Sequence, residues 1–99
     1  MIMATLVVTY VAQPGATFDR DYYVNVHLPL AAKHFGPAGM TGSQALFPLA
    51  PDAPTLCVGL LTFTDAAALG AAMQVAGAGE VMADVANFTN VQPTAVAMA

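Results

Sequence analysis

The sequence predicts an α+β fold in which one four-stranded antiparallel sheet carries its helices on a single face. Three observations predict it. Strand-like and helix-like runs follow one another in the order β-α-β-β-α-β, the split βαβ arrangement. The 99 residues leave room for a single domain, residues 1–99. The first and third strands show strict alternation without a charged residue on either side, so both sheet faces ask for cover.

The first strand is Met1 to Ala12, rich in Val, Thr, Leu and Tyr and free of helix breakers before Pro14. Gln13-Pro14-Gly15 is a turn. Thr17 is placed to cap a helix whose first turn carries Asp19 and Asp21, the charge sign that a helix N-terminus favours. That helix runs through Tyr22 and Tyr23 toward Phe35. Pro29 lies inside it, which predicts a kink, a freed Asn25 carbonyl and a Leu28 pushed away from helical angles. Gly36-Pro37-Ala38-Gly39 ends the helix.

Met40 to Leu49 reads as the second strand, weakened by Gly42 and Ser43, and Pro51-Asp52-Ala53-Pro54 as a turn. Thr55 to Phe63 is the third strand. Thr64 or Asp65 caps an Ala-rich helix from Ala66 to about Ala76, which Gly77 stops. Glu80 to about Asn87 forms a short further helix. Thr89 to Met98 is the last strand, with Pro93 marking an edge or an irregular step. This order is that of the ferredoxin-like fold.

Composition narrows the function classes. Apolar residues make up 58% and charged residues 8% of the chain, against roughly one-quarter charged in ordinary soluble domains. A chain this short hides only about two-thirds of the surface its unfolded form exposes, so something outside the protomer covers the excess. A membrane does not fit: spanning needs about 20 consecutive apolar residues, and the longest weakly polar stretch, Ala66 to Gly79, is shorter and contains Gln74. No basic region precedes an apolar run at the N-terminus, so a cytoplasmic protein is expected. The simplest cover is the same sheet face of a second copy, giving a homodimer. Net charge is −4, with Arg20 and Lys33 the only basic residues besides two histidines, which excludes the cation cluster that nucleic acid requires. The single Cys57 allows no internal disulfide and reads as a buried, inert thiol.

Two stretches carry more than fold. Phe18-Asp19-x-x-Tyr22-Tyr23-x-x-x-His27-x-Pro29-Leu30 resembles the signature of the EthD family. Asp84-Val85-x-Asn87-Phe88-Thr89-Asn90-x-x-Pro93 resembles its second characteristic stretch, so the resemblance spans nearly the whole chain. It implies a ferredoxin-like protomer pairing sheet-to-sheet into a dimeric α/β barrel, in agreement with the burial argument. Similar barrels include muconolactone isomerases, polyketide cyclases, quinol-type monooxygenases and haem-binding enzymes, so fold alone does not choose the chemistry.

His27 is the leading candidate for chemistry, one of two groups that ordinarily titrate near neutral pH. On an ideal helix Tyr23, His27, Leu30 and His34 fall within about 60° of one another. Tyr23 and His27, four apart, are neighbours able to face one cavity. An imidazole beside a phenol suits enolisation or aldol-type chemistry, one group moving a proton and the other holding an oxyanion. The competing reading is that Tyr22, Tyr23 and His27 only pack the helix on the sheet. His34, near the helix end, is read as meeting the last carbonyls, and Glu80 as favouring a helix N-terminus. Asp84 either orients His27 or lines the pocket mouth. Asn87 and Thr89 accompany it as ligand-binding candidates with Tyr22, against capping and turn formation as the alternative.

Two histidines on one helix, with carboxylates far along the chain, give no metal-ligand spacing. No Gly-rich loop joins a strand to a helix in phosphate-binding form. Haem on His27, suggested by similar barrels, would find two cationic side chains for its propionates. No cofactor is therefore expected. The expected function is binding of a small, largely apolar organic compound in a pocket between sheet and helices. Its chemistry would be that of a cofactor-free isomerase, cyclase or lyase in degradation or biosynthesis of small molecules. The alternative is a non-catalytic accessory or binding subunit of a catabolic pathway.

Overall fold

A computed structural model describes residues 2–99, so the Met1 end of the expected first strand lies outside the described residues. Strands β1 (Ala4–Val11), β2 (Met40–Leu46), β3 (Thr55–Phe63) and β4 (Thr94–Met98) form one antiparallel sheet, in the spatial order β2-β3-β1-β4. The two runs with the strongest β-forming composition, β1 and β3, take the centre, where each is paired on both sides. The Gly- and Ser-containing β2 and the Pro93-preceded β4 take the edges. This is the ferredoxin-like α+β fold.

Helices cover one face. Residues 20–35 form a continuous helical rod of three parts: α1 (Arg20–Tyr22), a π-helical turn (Tyr23–His27) and α2 (Leu28–Phe35), closed by a 3₁₀ turn over Gly36–Ala38. After β3 come α3 (Ala66–Ala72), α4 (Ala78–Ala83) and a 3₁₀ turn (Asp84–Asn87). Along β3 the residues facing the helices, Cys57, Gly59, Leu61 and Phe63, are all buried, and those between them are half-buried. Tyr10, Tyr23, Cys57 and Phe63 are the largest fully buried side chains. Each such large side chain stabilises the fold by roughly 1.5–3 kcal/mol through removal from water.

Several boundaries differ from expectation, each for a local reason. Asp19, not Thr17, is the first N-cap: its carboxylate accepts from Tyr22 N–H at 3.0 Å. Thr17 is engaged elsewhere, its N–H donating to Asn90 Oδ1 and its carbonyl accepting from Thr89 Oγ1. Pro29 does not push Leu28 out of helical space, for Leu28 sits at φ −63°, ψ −42°. Instead the helix widens by one residue before the proline, and Leu28 N–H reaches the Tyr23 carbonyl five residues back. The Ala-rich helix is capped by Asp65, whose carboxylate accepts from Ala68 N–H at 2.7 Å, and it ends at Ala72 rather than Ala76. β2 stops at Leu46. β4 begins only at Thr94, because Thr89 and Asn90 are spent on side-chain bonds to residues 15–17 and Pro93 has no N–H to give.

The outer face of the sheet is turned away from every helix. One row across it, set by strand register, reads Gln44, Leu60, Val7 and Val96. Val96 and Met98 on β4 are each more than half exposed, and no residue of the four strands is charged.

Candidate functional site

The two sequence stretches singled out above meet through a set of bonds spanning more than 70 residues. Asn90 Nδ2 donates to the Gly15 carbonyl (2.9 Å), its Oδ1 accepts from Thr17 N–H (2.9 Å), and Thr89 Oγ1 donates to the Thr17 carbonyl (2.6 Å). The Asp19 N–H adds a 2.8 Å bond to the Phe88 carbonyl. Phe18 and Thr89 pair as an isolated β-bridge. The loop before the first helix and the end of the last helix are thereby stapled together, which sets Asp84 against the π turn.

At that junction His27 Nδ1 lies 2.9 Å from Asp84 Oδ2, with both side chains about nine-tenths buried. The other carboxylate oxygen, Oδ1, accepts from Tyr22 Oη–H at 2.7 Å and from Asn87 Nδ2 at 3.0 Å. Burial opposes ionisation of Asp84, but the bonds from Tyr22, Asn87 and His27 outweigh it and hold the carboxyl below its ordinary value. An ionised Asp84 can only accept, so Nδ1 of His27 is the donor in this bond, and in the neutral imidazole Nε2 is then the acceptor. Reciprocally, the bond to Asp84 raises the Tyr22 phenol.

Aromatic rings surround the pair. The imidazole stacks on Tyr23 (centroids 5.4 Å, planes 21° apart) and tilts against Phe88 at 4.6 Å. Phe88 in turn meets Tyr10, Phe18 and Tyr23 at 5.1–5.7 Å. Each such pair adds roughly 0.5–1.5 kcal/mol beyond area burial, so the ring set is a rigid frame. Tyr23 is 2% exposed, and its hydroxyl reaches over Gly59 of β3, where a Cβ would lie 1.9 Å from the oxygen. Burial, the neighbouring Tyr10 and Cys57 all raise the Tyr23 phenol above its ordinary range, and burial raises Tyr10 likewise. The Cys57 thiol is pushed up to about 12, again by burial.

Of the six residues proposed from sequence, His27, Asp84, Tyr22 and Asn87 form one hydrogen-bonded network, and Tyr23 supports it by stacking. Thr89 is 6% exposed and ties loops together, its Oγ1 also accepting from Val91 N–H. Phe88 was missed as a site residue, although it stood inside the second stretch between Asn87 and Thr89. His34 does not end on helix carbonyls: its Nε2 faces Glu80 Oε2 across α2 and α4.

Two open depressions flank the region. One, of about 400 Å³, lies over Phe18, Asn87, Phe88 and Asn90; the other, of about 380 Å³, lies between Val24, Leu28, Pro29 and the β2 residues Ser43 to Ala45, with Phe47. Neither is lined by His27 or Tyr23. Among the described residues no three His, Cys, Asp or Glu side chains converge on one point, and no helix is long and apolar enough to cross a membrane.

Comparison with known proteins places the fold. A family profile described as EthD domain matches residues 15–92. An EthD-like protein from Ralstonia eutropha superimposes with a TM-score of 0.81 at 26% identity, over 97% of this chain and 89% of its own. An EthD family protein from Bacillus halodurans gives 0.75 at 17% identity, over 99% and 98%. SnoaB, a cofactor-independent oxygenase from Streptomyces nogalater, gives 0.64 at 13%, over 97% and 92%. Among curated proteins there is no significant match.

Proposed function

Since the chain belongs to the EthD family, we propose that it binds a small, largely apolar organic compound and moves a proton on it with His27, without a cofactor, as an isomerase, cyclase or lyase. The observation that carries this reading is the 2.9 Å bond from His27 Nδ1 to Asp84 in a ring-lined setting. A carboxylate behind an imidazole fixes the tautomer and favours the imidazolium that forms when Nε2 takes a proton.

The chemistry follows from that. Nε2 removes a proton from carbon next to a substrate carbonyl, leaving an enolate. Return of the proton to a different carbon is isomerisation. Attack of the enolate on a second carbonyl of the same molecule is ring closure, and expulsion of a group at the β carbon is a lyase reaction. Asp84 stays ionised throughout. Tyr22 and Asn87 hold Asp84, while Tyr23, whose buried phenol keeps its proton, steadies the imidazole from the side. Asn87, Phe88 and Thr89 border the depression from which a ligand would approach. A second copy packed on the charge-free outer face completes a homodimer working in the cytoplasm. The oxygenase likeness, at 13% identity, supports the fold alone.

A second reading, an accessory or binding subunit without catalysis, is favoured by one observation: neither depression reaches His27. One experiment separates the two. β,γ-Unsaturated cyclic ketones are incubated in D₂O, and loss of the α-proton signal beyond the protein-free rate is followed by NMR. Catalysis predicts exchange that falls by ~10²–10⁴-fold in His27→Ala, the usual worth of a general base. Exchange unaltered by His27→Ala sinks the catalytic reading.

A further inference from the structure

Tyr22 and His27 are five residues apart, yet both bond the same carboxylate, Tyr22 through Oδ1 and His27 through Oδ2. In an α-helix, at about 100° per residue, residues five apart point roughly 140° away from each other. They cannot then converge on one small group. A π turn closes i→i+5 bonds and is wider than an α turn, so residues five apart come onto adjoining faces instead of opposed ones. The turn over Tyr23–His27 lies between these two residues, and its closing bond runs from Leu28 N–H to the Tyr23 carbonyl.

What holds the helix in that register is two residues further on. Pro29 has no N–H, so the α-helical bond to the Asn25 carbonyl is impossible, and its ring would strike that carbonyl in a regular α-helix. Widening the turn by one residue replaces the α-helical pairing that Pro29 cannot enter, and Leu28 keeps helical angles while its N–H bonds the Tyr23 carbonyl. Val24, Asn25 and Val26, the residues that bulge, are all exposed.

We propose that Pro29 is a positioning residue for the His27 site: it excludes the α-helical register and thereby brings Tyr22 and His27 onto the two oxygens of Asp84. Its functional meaning rests on the proton-transfer role of His27 given above. Pro29 itself need touch neither substrate nor reacting atoms.

The test reads the imidazole directly. In ¹⁵N-labelled protein at neutral pH, His27 is expected as the Nδ1–H form, identified by long-range ¹H–¹⁵N correlations. Asp84→Asn supplies the reference spectrum of a broken pair. Pro29→Ala should fold, with circular dichroism unchanged, but shift His27 toward the Nε2–H form that an unpaired imidazole prefers. Deleting Asn25 in the Pro29→Ala background removes the extra residue, places Tyr22 and His27 four apart on a plain α-helix, and should restore the Nδ1–H form. A Pro29→Ala spectrum identical to wild type for His27 overturns the proposal. So does failure of the deletion to restore the pair in a folded protein. Neither readout needs a substrate, so the inference stands or falls apart from the turnover assay.

Discussion

At the residue scale, Asp84 is the hinge of the site's electrostatics. One carboxylate takes hydrogen bonds from Tyr22, His27 and Asn87. Its folded-state value lies below the ordinary one of 3.8. A depressed folded value means stability that is fully present above the unfolded value and lost as pH falls through the folded one. Urea midpoints of the wild type should therefore drop as pH falls through and below the ordinary carboxylate value, and Asp84→Asn should show a shallower decline over the same range. Equal declines in both proteins would show that the carboxylate is not held by these bonds. The partners of Asp84 were only half legible in the sequence. A 57-residue separation from His27 gives no local signal, and Tyr22, a ligand-binding candidate or a packing residue by sequence, carries no local sign of its bond to Oδ1.

At the scale of elements, the close approach between α2 and the chain leading into α4 depends on a missing side chain. A Cβ on Gly77 would stand 2.0 Å from His34 Nδ1, although Gly77 has an ordinary helical backbone at φ −77°. Gly77→Ala is therefore a steric change alone, expected to destabilise by about 1–3 kcal/mol and to lower Tm by several degrees. Gly79→Ala, where a Cβ meets nothing within 4 Å, serves as the neutral control in the same thermal melts. An equal effect of the two substitutions would show that His34 simply moves aside. Strand and helix order was legible because periodicity and turn residues are local properties. The ends were not. Thr89 and Asn90 have strand-like neighbours, yet they are drawn to residues 15–17, and no local pattern announces such a bond. Pro29 announced a disturbance in the helix, but a proline inside a helix is met by a kink or by a widened turn, and no local pattern says which.

At the scale of the whole molecule, the outer sheet face is an uncharged surface that no helix covers. Its central row of Leu60, Val7 and Val96 contains no charge to deter a second copy. Stable interfaces bury about 1,200–2,000 Å² in total, and a four-stranded sheet face is of that order per pair. Sedimentation at micromolar concentration should show a dimer, and Leu60→Lys, which puts a charge at the centre of the face, should give a folded monomer. A wild type that sediments as a stable monomer would refute the sheet-to-sheet assembly. The position of β1 in the sheet has a further consequence, for synthesis rather than function. β1 is made first, yet one of its two edges is satisfied only by residues 94–98. Until those residues leave the ribosome, an uncharged strand edge stands open beside an uncovered apolar face, a combination that invites pairing with other nascent chains. The staple that sets Asp84 beside His27 uses Thr89 and Asn90, made only shortly before β4, so this open-edged stage largely precedes the site. Chaperone demand should therefore peak while residues 94–98 are still inside the ribosome, whatever the stability of the finished fold.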